Sequence, residues 1–429
     1  MEEFQVRPVL HALSARLAPP GSKSITNRAM LLAALAPGES TIEGALASDD
    51  TRYLAEALRA LGLRLEVDEA HGRIAVEGRG GEIPAKSAEL FVGNAGTAMR
   101  FLAGMLMLSQ GRFRLDGSPR MRERPMGGLL EALVSLGVDA RSERGNGCPP
   151  IAIDTQATGP AVGGETEVPA TISSQFVSAL LMPAPLLPRG LTIRLSGSPV
   201  ARPFITMTLR MMAQWNALSH QPNPATIAVP GEQSYAPQRY RVEPDATAAT
   251  YFWAAAALIG GRVEVPGLSR ESVQGDVAFA GVLEQMGAQV ECGPDFIAVS
   301  REGRPLRGVD VALDTMPDTV ATLAAIAPFA KSPTRIRGVG FIRHHESDRL
   351  RALATELRRL DGDVEEFDDG LLIRPATLQG ASVETYDDHR IAMALSLVGL
   401  KIEGVRIKNP GCVAKTFPDF FTRLASLAA

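Results

Sequence analysis

Residues 19–35 read PPGSKSITNRAMLLAAL. A Pro-Gly turn leads into a run that is apolar on every side, which predicts a buried helix with Lys23, Ser24 and Arg28 at its mouth. The first turn of a helix carries unpaired N–H groups and the positive end of the macrodipole. This mouth is therefore either an anion site or the cap of a core helix with solvated charges beside it. It is not a nucleotide P-loop, because the lysine does not follow a second glycine as in G-x-x-x-x-G-K-[ST].

Helices of this kind recur. RAMLLAAL at 28 is followed by AMRFLAGMLML at 98, SQFVSALLM at 174, ATAATYFWAAAALI at 246, TVATLAAIAPFA at 319 and HRIAMALSLVGL at 389. The spacing is a repeat of about 70 residues, and a repeat constrains the fold before any single element does. After each helix come a break and a short alternating strand: STIEGAL, GRFRLDG, LTIRLSG, GRVEVPG, TRIRGVG and GVRIKNP. Alternation of this sort suits sheets with one wet face. An amphipathic helix follows in at least the first five copies, DDTRYLAEALRALG and ESDRLRALATELRRLD among them, although the pattern frays near 215–224 in the third. The expected fold class is α/β, with three copies in each of two similar domains. Residues 21–240 are expected to form one domain and residues 1–20 with 241–429 the other, the junction following an irregular stretch at 221–238.

The chain has 429 residues, more than one hydrophobic core normally serves. Charged residues at 21% and apolar residues at 45% are ordinary for a soluble protein, and a formal charge of -4 argues against a surface that coats nucleic acid. Cys148, Cys292 and Cys412 are widely spaced and form no C-x-x-C pair, which suits a reducing, cytoplasmic setting and no zinc site. MEEFQVRPVL lacks the basic and apolar segments of a leader, and no apolar run approaches the ~20 residues of a membrane span.

Polar residues concentrate where the six apolar helices begin: GSKSITNR, GNAGTAMR, TISSQF, EPDATAAT, MPDTVA and YDDHR. If the two domains face each other, six positive helix ends converge on one crevice suited to small polyanions. Gly93–Thr97 is a glycine loop that permits close backbone approach, with Arg100 just inside its helix, although such a loop alone is more often a plain turn than a ligand site. Ser173, Ser174 and Gln175 read equally as an N-cap and its neighbours. His345–Arg349 and Asp387–Arg390 open two further helices with more acids and cations than a capping box requires. No second histidine stands at ligand spacing from His389, so no metal is expected.

The runs PGSKSITNR, GNAGTAMR, RERP, SSQF, ESDRL, DDHR and AKTFPDFF, in this order and at this spacing, resemble the 5-enolpyruvylshikimate-3-phosphate (EPSP) synthase family of enolpyruvyl transferases. The resemblance implies two domains, each of three βαβαββ units around buried parallel helices, an inside-out α/β barrel with the active site in the crevice between the domains. It implies a cytoplasmic monomer with no cofactor, whose partners are two small substrates and neither nucleic acid nor membrane. The implied reaction moves the enolpyruvyl group of phosphoenolpyruvate to the 5-hydroxyl of shikimate 3-phosphate and releases phosphate.

Carried over by motif, shikimate 3-phosphate would be held by Lys23, Ser24, Arg28, Ser173, Ser174, Gln175, Asp318 and His345. Phosphoenolpyruvate would be held by Lys23, Asn94, Gly96, Thr97, Arg124, Gln175, Arg349, Arg390 and Lys415. Lys23, Asp318 and Glu346 are the catalytic candidates: Glu346 at the methylene carbon, Asp318 as base on the hydroxyl, Lys23 assisting. The chain departs from the commonest family pattern at Ala201, Phe204, Phe341 and His345, where Ser, Tyr, Asn and Lys are frequent around the shikimate 3-phosphate side. Two alternatives share the fold: UDP-N-acetylglucosamine enolpyruvyl transferase and a non-catalytic phosphometabolite-binding protein. A Gly-Ser-Lys-Ser entrance and a GSPRMRERP loop without cysteine speak against the first. Joint retention of Lys23, Asp318, Glu346 and Arg390 speaks against the second.

Overall fold

Two kinds of helix alternate along the chain, and their residue chemistry decides which is buried. The computed structural model describes residues 2–197 and 200–427. The first kind comprises α1 (Lys23–Leu35), α3 (Gly96–Met105), α5 (Ser174–Leu181), α7 (Ala246–Ile259), α9 (Val320–Ile326) and α11 (His389–Gly399). In α1 every residue from Ile25 to Leu35 is buried, since Ala, Leu and Met on all sides leave no face for water. It ends at Ala36, where Pro37 and Gly38 cannot continue a helix. The second kind comprises α2 (Asp49–Ala60), α4 (Gly127–Ser135), α6 (Arg202–Gln214), α8 (Phe279–Gln285), α10 (Arg349–Arg359) and α12 (Phe420–Ser426). In α2, Leu54, Ala55, Ala57 and Leu58 face inward while Arg52, Glu56 and Arg59 are exposed. Asp49 and Asp50 in its first turn favour the macrodipole.

The chain separates into a central unit, Gly21–Val242, and a terminal unit, Met1–Pro20 with Glu243–Ala429. In the terminal unit α7, α9 and α11 touch one another; in the central unit α1 meets α3, and α3 meets α5. Large aromatics fill the terminal core. Phe252 on α7 lies 5.9 Å from Phe417 and 6.1 Å from Phe420, ring centre to ring centre, and Trp253 donates to the Ile297 carbonyl at 3.2 Å. Each such ring contributes roughly 2–3 kcal/mol by leaving water.

Sheets surround these helices. Ser87–Phe91 runs parallel to Arg112–Asp116 after the crossover through α3, and Arg112–Asp116 then pairs antiparallel with Ile151–Asp154 of a hairpin that follows α4. That is one βαβαββ unit. Its strands alternate as read: Phe113 and Leu115 are buried, whereas Arg112 is exposed and Arg114 partly so. The leading copy of each unit takes its first strand from far along the chain. Arg239–Arg241 pairs parallel with Thr41–Glu43, and Leu13–Arg16 pairs parallel with Gly261–Glu264. The last copy is completed by Glu3–Gln5, antiparallel to Arg406–Lys408 in a three-stranded sheet.

The stretch 221–238 is more ordered than its composition suggests. His220–Asn223 and Thr226–Val229 form strands that complete the third sheet. No helix among the described residues is long and apolar enough to cross a membrane.

Candidate active site

In the terminal unit two aspartates set the geometry by capping. Asp348 accepts from the Arg351 amide at 3.0 Å and starts α10; Asp388 accepts from the Arg390 amide at 3.0 Å and starts α11. Arg349 and Arg390 therefore sit in first turns, where the macrodipole disfavours cations by a few tenths of a kcal/mol or more. Carboxylates offset this. Arg349, 2% exposed, donates to Asp388 at 2.8 Å, to Asp318 at 2.8 Å and to Glu346 at 2.8 Å. The other Asp318 oxygen accepts from Arg390 at 2.7 Å, and the other Glu346 oxygen from Lys415 at 3.2 Å. Three cations thus interleave with three carboxylates. Burial raises the Asp318 carboxyl, but Arg390 and Arg349 outweigh it and bring it down to about 2. Arg349 lies well above its usual range despite burial, because Asp388, Glu346 and Asp318 surround it.

His345 packs its ring edge against Phe341 at 6.0 Å and lies 3.2 Å from Arg349 through Nδ1. A guanidinium can only donate, so this contact requires an imidazole whose Nδ1 accepts.

Asp276, 4% exposed, accepts the Thr247 hydroxyl. Burial first, then the charge of Asp318, raises its carboxyl from 3.8 to about 7. A raised acid stabilises the fold most below its unfolded value, and that contribution is lost as pH rises from about 4 through 7. Asp276→Asn should remove this slope. Thermal unfolding from pH 4 to 8 should show the variant gaining on the parent up to pH 7 and level above, by a few kcal/mol at most at about 1.4 kcal/mol per unit. Parallel curves would show that Asp276 does not titrate in this window.

The central unit is built differently. Lys23, the first residue of α1, pairs with Asp50 on α2 at 3.3 Å. Arg28, 2% exposed, donates to the Thr208 hydroxyl at 2.8 Å, the Ser24 carbonyl at 3.0 Å, and Ser178 and the Phe204 carbonyl at 3.3 Å each. Its guanidinium stands over Phe101 and Phe204, 5.1 and 6.0 Å from the ring centres. Among the described residues no carboxylate pairs with it, and burial pushes its pKa down to about 9. Arg124, 6% exposed, donates to the Asn94 carbonyl at 3.3 Å and likewise makes no ion pair among the described residues.

At Gly96 the backbone approach is steric. A Cβ there would lie 2.5 Å from a nitrogen of Arg100 and 2.6 Å from both terminal nitrogens of Arg124, so only glycine admits the two guanidiniums. Ser173 is the N-cap of α5, its hydroxyl accepting from the Gln175 amide at 3.2 Å. Gln175 then reaches Thr97 at 3.4 Å and joins two helix mouths.

A family model described as EPSP synthase (3-phosphoshikimate 1-carboxyvinyltransferase) matches residues 9–424. The chain belongs to the EPSP synthase family. It is 46% identical over 423 residues to the 3-phosphoshikimate 1-carboxyvinyltransferase of Trichormus variabilis, covering 99% of this chain and 98% of that one. It is 45% identical over 432 residues to that of Aliivibrio fischeri, covering both chains fully. The solved EPSP synthase of Acinetobacter baumannii superposes with a TM-score of 0.83 at 26% identity, over 100% of this chain and 98% of that one.

Within this EPSP synthase-family chain the departures noted in the sequence fall at two places. Phe204 packs on Arg28, with Ala201 just before α6, whereas Phe341 and His345 pack together beside Arg349. Asp50, Ser178, Thr208 and Asp276 belong to these clusters and were not singled out from sequence. A carboxylate in a first helical turn reads as a cap, and a mid-helix threonine reads as core.

Proposed function

We propose that the chain transfers the enolpyruvyl group of phosphoenolpyruvate to the 5-hydroxyl of shikimate 3-phosphate and releases phosphate, by addition followed by elimination. The observation that carries the reading is the contrast in charge. The terminal unit neutralises its buried arginines with carboxylates, while the central unit buries Arg28 and Arg124 with no carboxylate partner among the described residues. An uncompensated buried cation is costly unless an anion completes it, and both substrates are polyanions.

On this reading both units contribute substrate ligands. Lys23, Ser24, Arg28, Ser173, Ser174 and Gln175 take shikimate 3-phosphate together with Asp318 and His345. Lys23, Asn94, Gly96, Thr97, Arg124 and Gln175 take phosphoenolpyruvate together with Arg349, Arg390 and Lys415, planar guanidinium forks suiting its carboxylate and phosphate. Glu346, already bonded to Lys415, exchanges a proton with the methylene carbon; Asp318 takes the proton of the 5-hydroxyl, and Lys23 assists. The enzyme works as a cytoplasmic monomer, a setting that suits its three free cysteines.

The test is phosphate release from phosphoenolpyruvate, measured with shikimate 3-phosphate, with UDP-N-acetylglucosamine in its place, and with neither. Release with shikimate 3-phosphate alone is expected. Silence in that arm would overturn the proposal, and release with the nucleotide sugar would move the chain to the other transferase.

A further inference from the structure

Glu356 stands two turns beyond Arg349 on α10 and is fully buried. Leu353, one turn earlier on the same face, is buried with it. The carboxylate grips another segment. One oxygen accepts the Glu384 amide at 3.0 Å and pairs with Arg359 at 2.8 Å; the other accepts the Tyr386 hydroxyl at 2.6 Å.

That segment leads directly into α11. Tyr386 and Asp387 both have φ of 54°, a left-handed conformation that residues with a Cβ avoid. The turn is closed by the Asp388 amide donating to the Thr385 carbonyl at 2.8 Å, and Asn409 holds Asp387 at 3.1 Å. Asp388 then accepts from Arg349 and caps α11, which brings Arg390 to Asp318. Helix α10 therefore grips the turn twice: through Arg349 at its first residue and through Glu356 two turns later.

We propose that Glu356 is a positioning residue for phosphoenolpyruvate, holding Glu384–Asp388 in its left-handed turn so that Arg349 and Arg390 present their forks to the donor. This rests on the assignment of those arginines to phosphoenolpyruvate. Tyr386 is the lever that separates positioning from folding, because the residue is 43% exposed and its tie to the buried carboxylate is the hydroxyl.

The experiment compares Tyr386→Phe, Glu356→Gln, their double variant and Arg390→Lys, with KM for each substrate, kcat and melting temperature. A glutamine cannot accept from the Glu384 amide and Tyr386 while also facing Arg359. Tyr386→Phe should raise KM for phosphoenolpyruvate about 5–10-fold, the scale of one hydrogen bond, with KM for shikimate 3-phosphate and melting unchanged. Glu356→Gln should raise it further, and the double variant should add nothing to Glu356→Gln, since the two act through one contact. If Arg390→Lys raises the donor KM and Tyr386→Phe does not, the brace is overturned and the donor site stands. If Arg390→Lys leaves it unchanged, the donor assignment falls and this proposal with it. A loss in both KM values and kcat that tracks melting would make Glu356 a fold element and overturn the proposal as well.

Discussion

Asp318→Asn should cut phosphate release by on the order of 10³-fold and should remove part of the parent's sensitivity to acid. Both Asp318 oxygens are occupied, by Arg349 at 2.8 Å and Arg390 at 2.7 Å. Asparagine keeps one acceptor and turns an N–H₂ toward the other guanidinium, so one fork loses its anchor. The chemistry suffers too. A carboxyl held near 2 is a weak base, and the groups that hold it there are those assigned to the donor. On the proposed assignment, donor anions would draw off these forks, and Asp318 would lose its countercharge and gain basicity, coupling proton removal to donor binding. The stability sign follows from the direction of the shift. A carboxyl lowered from 3.8 to about 2 stabilises the fold above its unfolded value and loses that contribution as pH falls from about 4 to 2. Parent and variant should therefore differ in unfolding free energy at pH 7 by an amount that shrinks by about 2 kcal/mol toward pH 2. Phosphate release within tenfold of the parent would sink the assignment of the base, and a pH-independent stability gap would sink the linkage.

How much of this could be read in advance depends on the range of the interaction. Buried helices such as α1 and α7 announce themselves locally, since RAMLLAAL and ATAATYFWAAAALI have no polar face to expose. The alternation in GRFRLDG is equally local. What the local pattern does not carry is the partner of a strand. Leu13–Arg16 pairs with Gly261–Glu264, and Arg239–Arg241 with Thr41–Glu43, across stretches far longer than any periodicity window. HQPN carries proline and no apolar residue, and it forms a fully exposed strand only because TIAV lies beside it.

The same division holds in the site. Lys23, Arg349 and Arg390 stand out because cations at a helix's positive end need a reason. Their partners look ordinary. Asp50 reads as a macrodipole residue, and Glu356, within TELRR, reads as the wet side of an amphipathic helix although it is fully buried.

Arg28→Met should lower affinity for shikimate 3-phosphate by about 10–100-fold while the melting temperature holds or rises. The first part is the loss of a charge-assisted contact, about 1.5–3 kcal/mol. The second comes from the surroundings of the guanidinium. It is 2% exposed and has no paired carboxylate among the described residues; burial brings it down to about 9, a penalty on the charged form of order 5 kcal/mol that four hydrogen bonds and two aromatic faces offset in part. Methionine fills similar space against Phe101 and Phe204 without that penalty. It also strands no hydroxyl, because the Thr208 O–H can donate to the Phe204 carbonyl at 2.9 Å while its oxygen accepts from the Ser178 hydroxyl, also at 2.9 Å. A base whose folded value is depressed gains stability as pH rises from that value toward its unfolded one. The variant's advantage should therefore be full below pH 9 and should shrink above it. Calorimetric titration of shikimate 3-phosphate, with melts at pH 7 and 10, reads both effects. A melting temperature several degrees below the parent's with acceptor affinity intact would make Arg28 part of the fold's support. A residue that weakens the fold it sits in and strengthens only the bound complex is what a buried anion receptor requires.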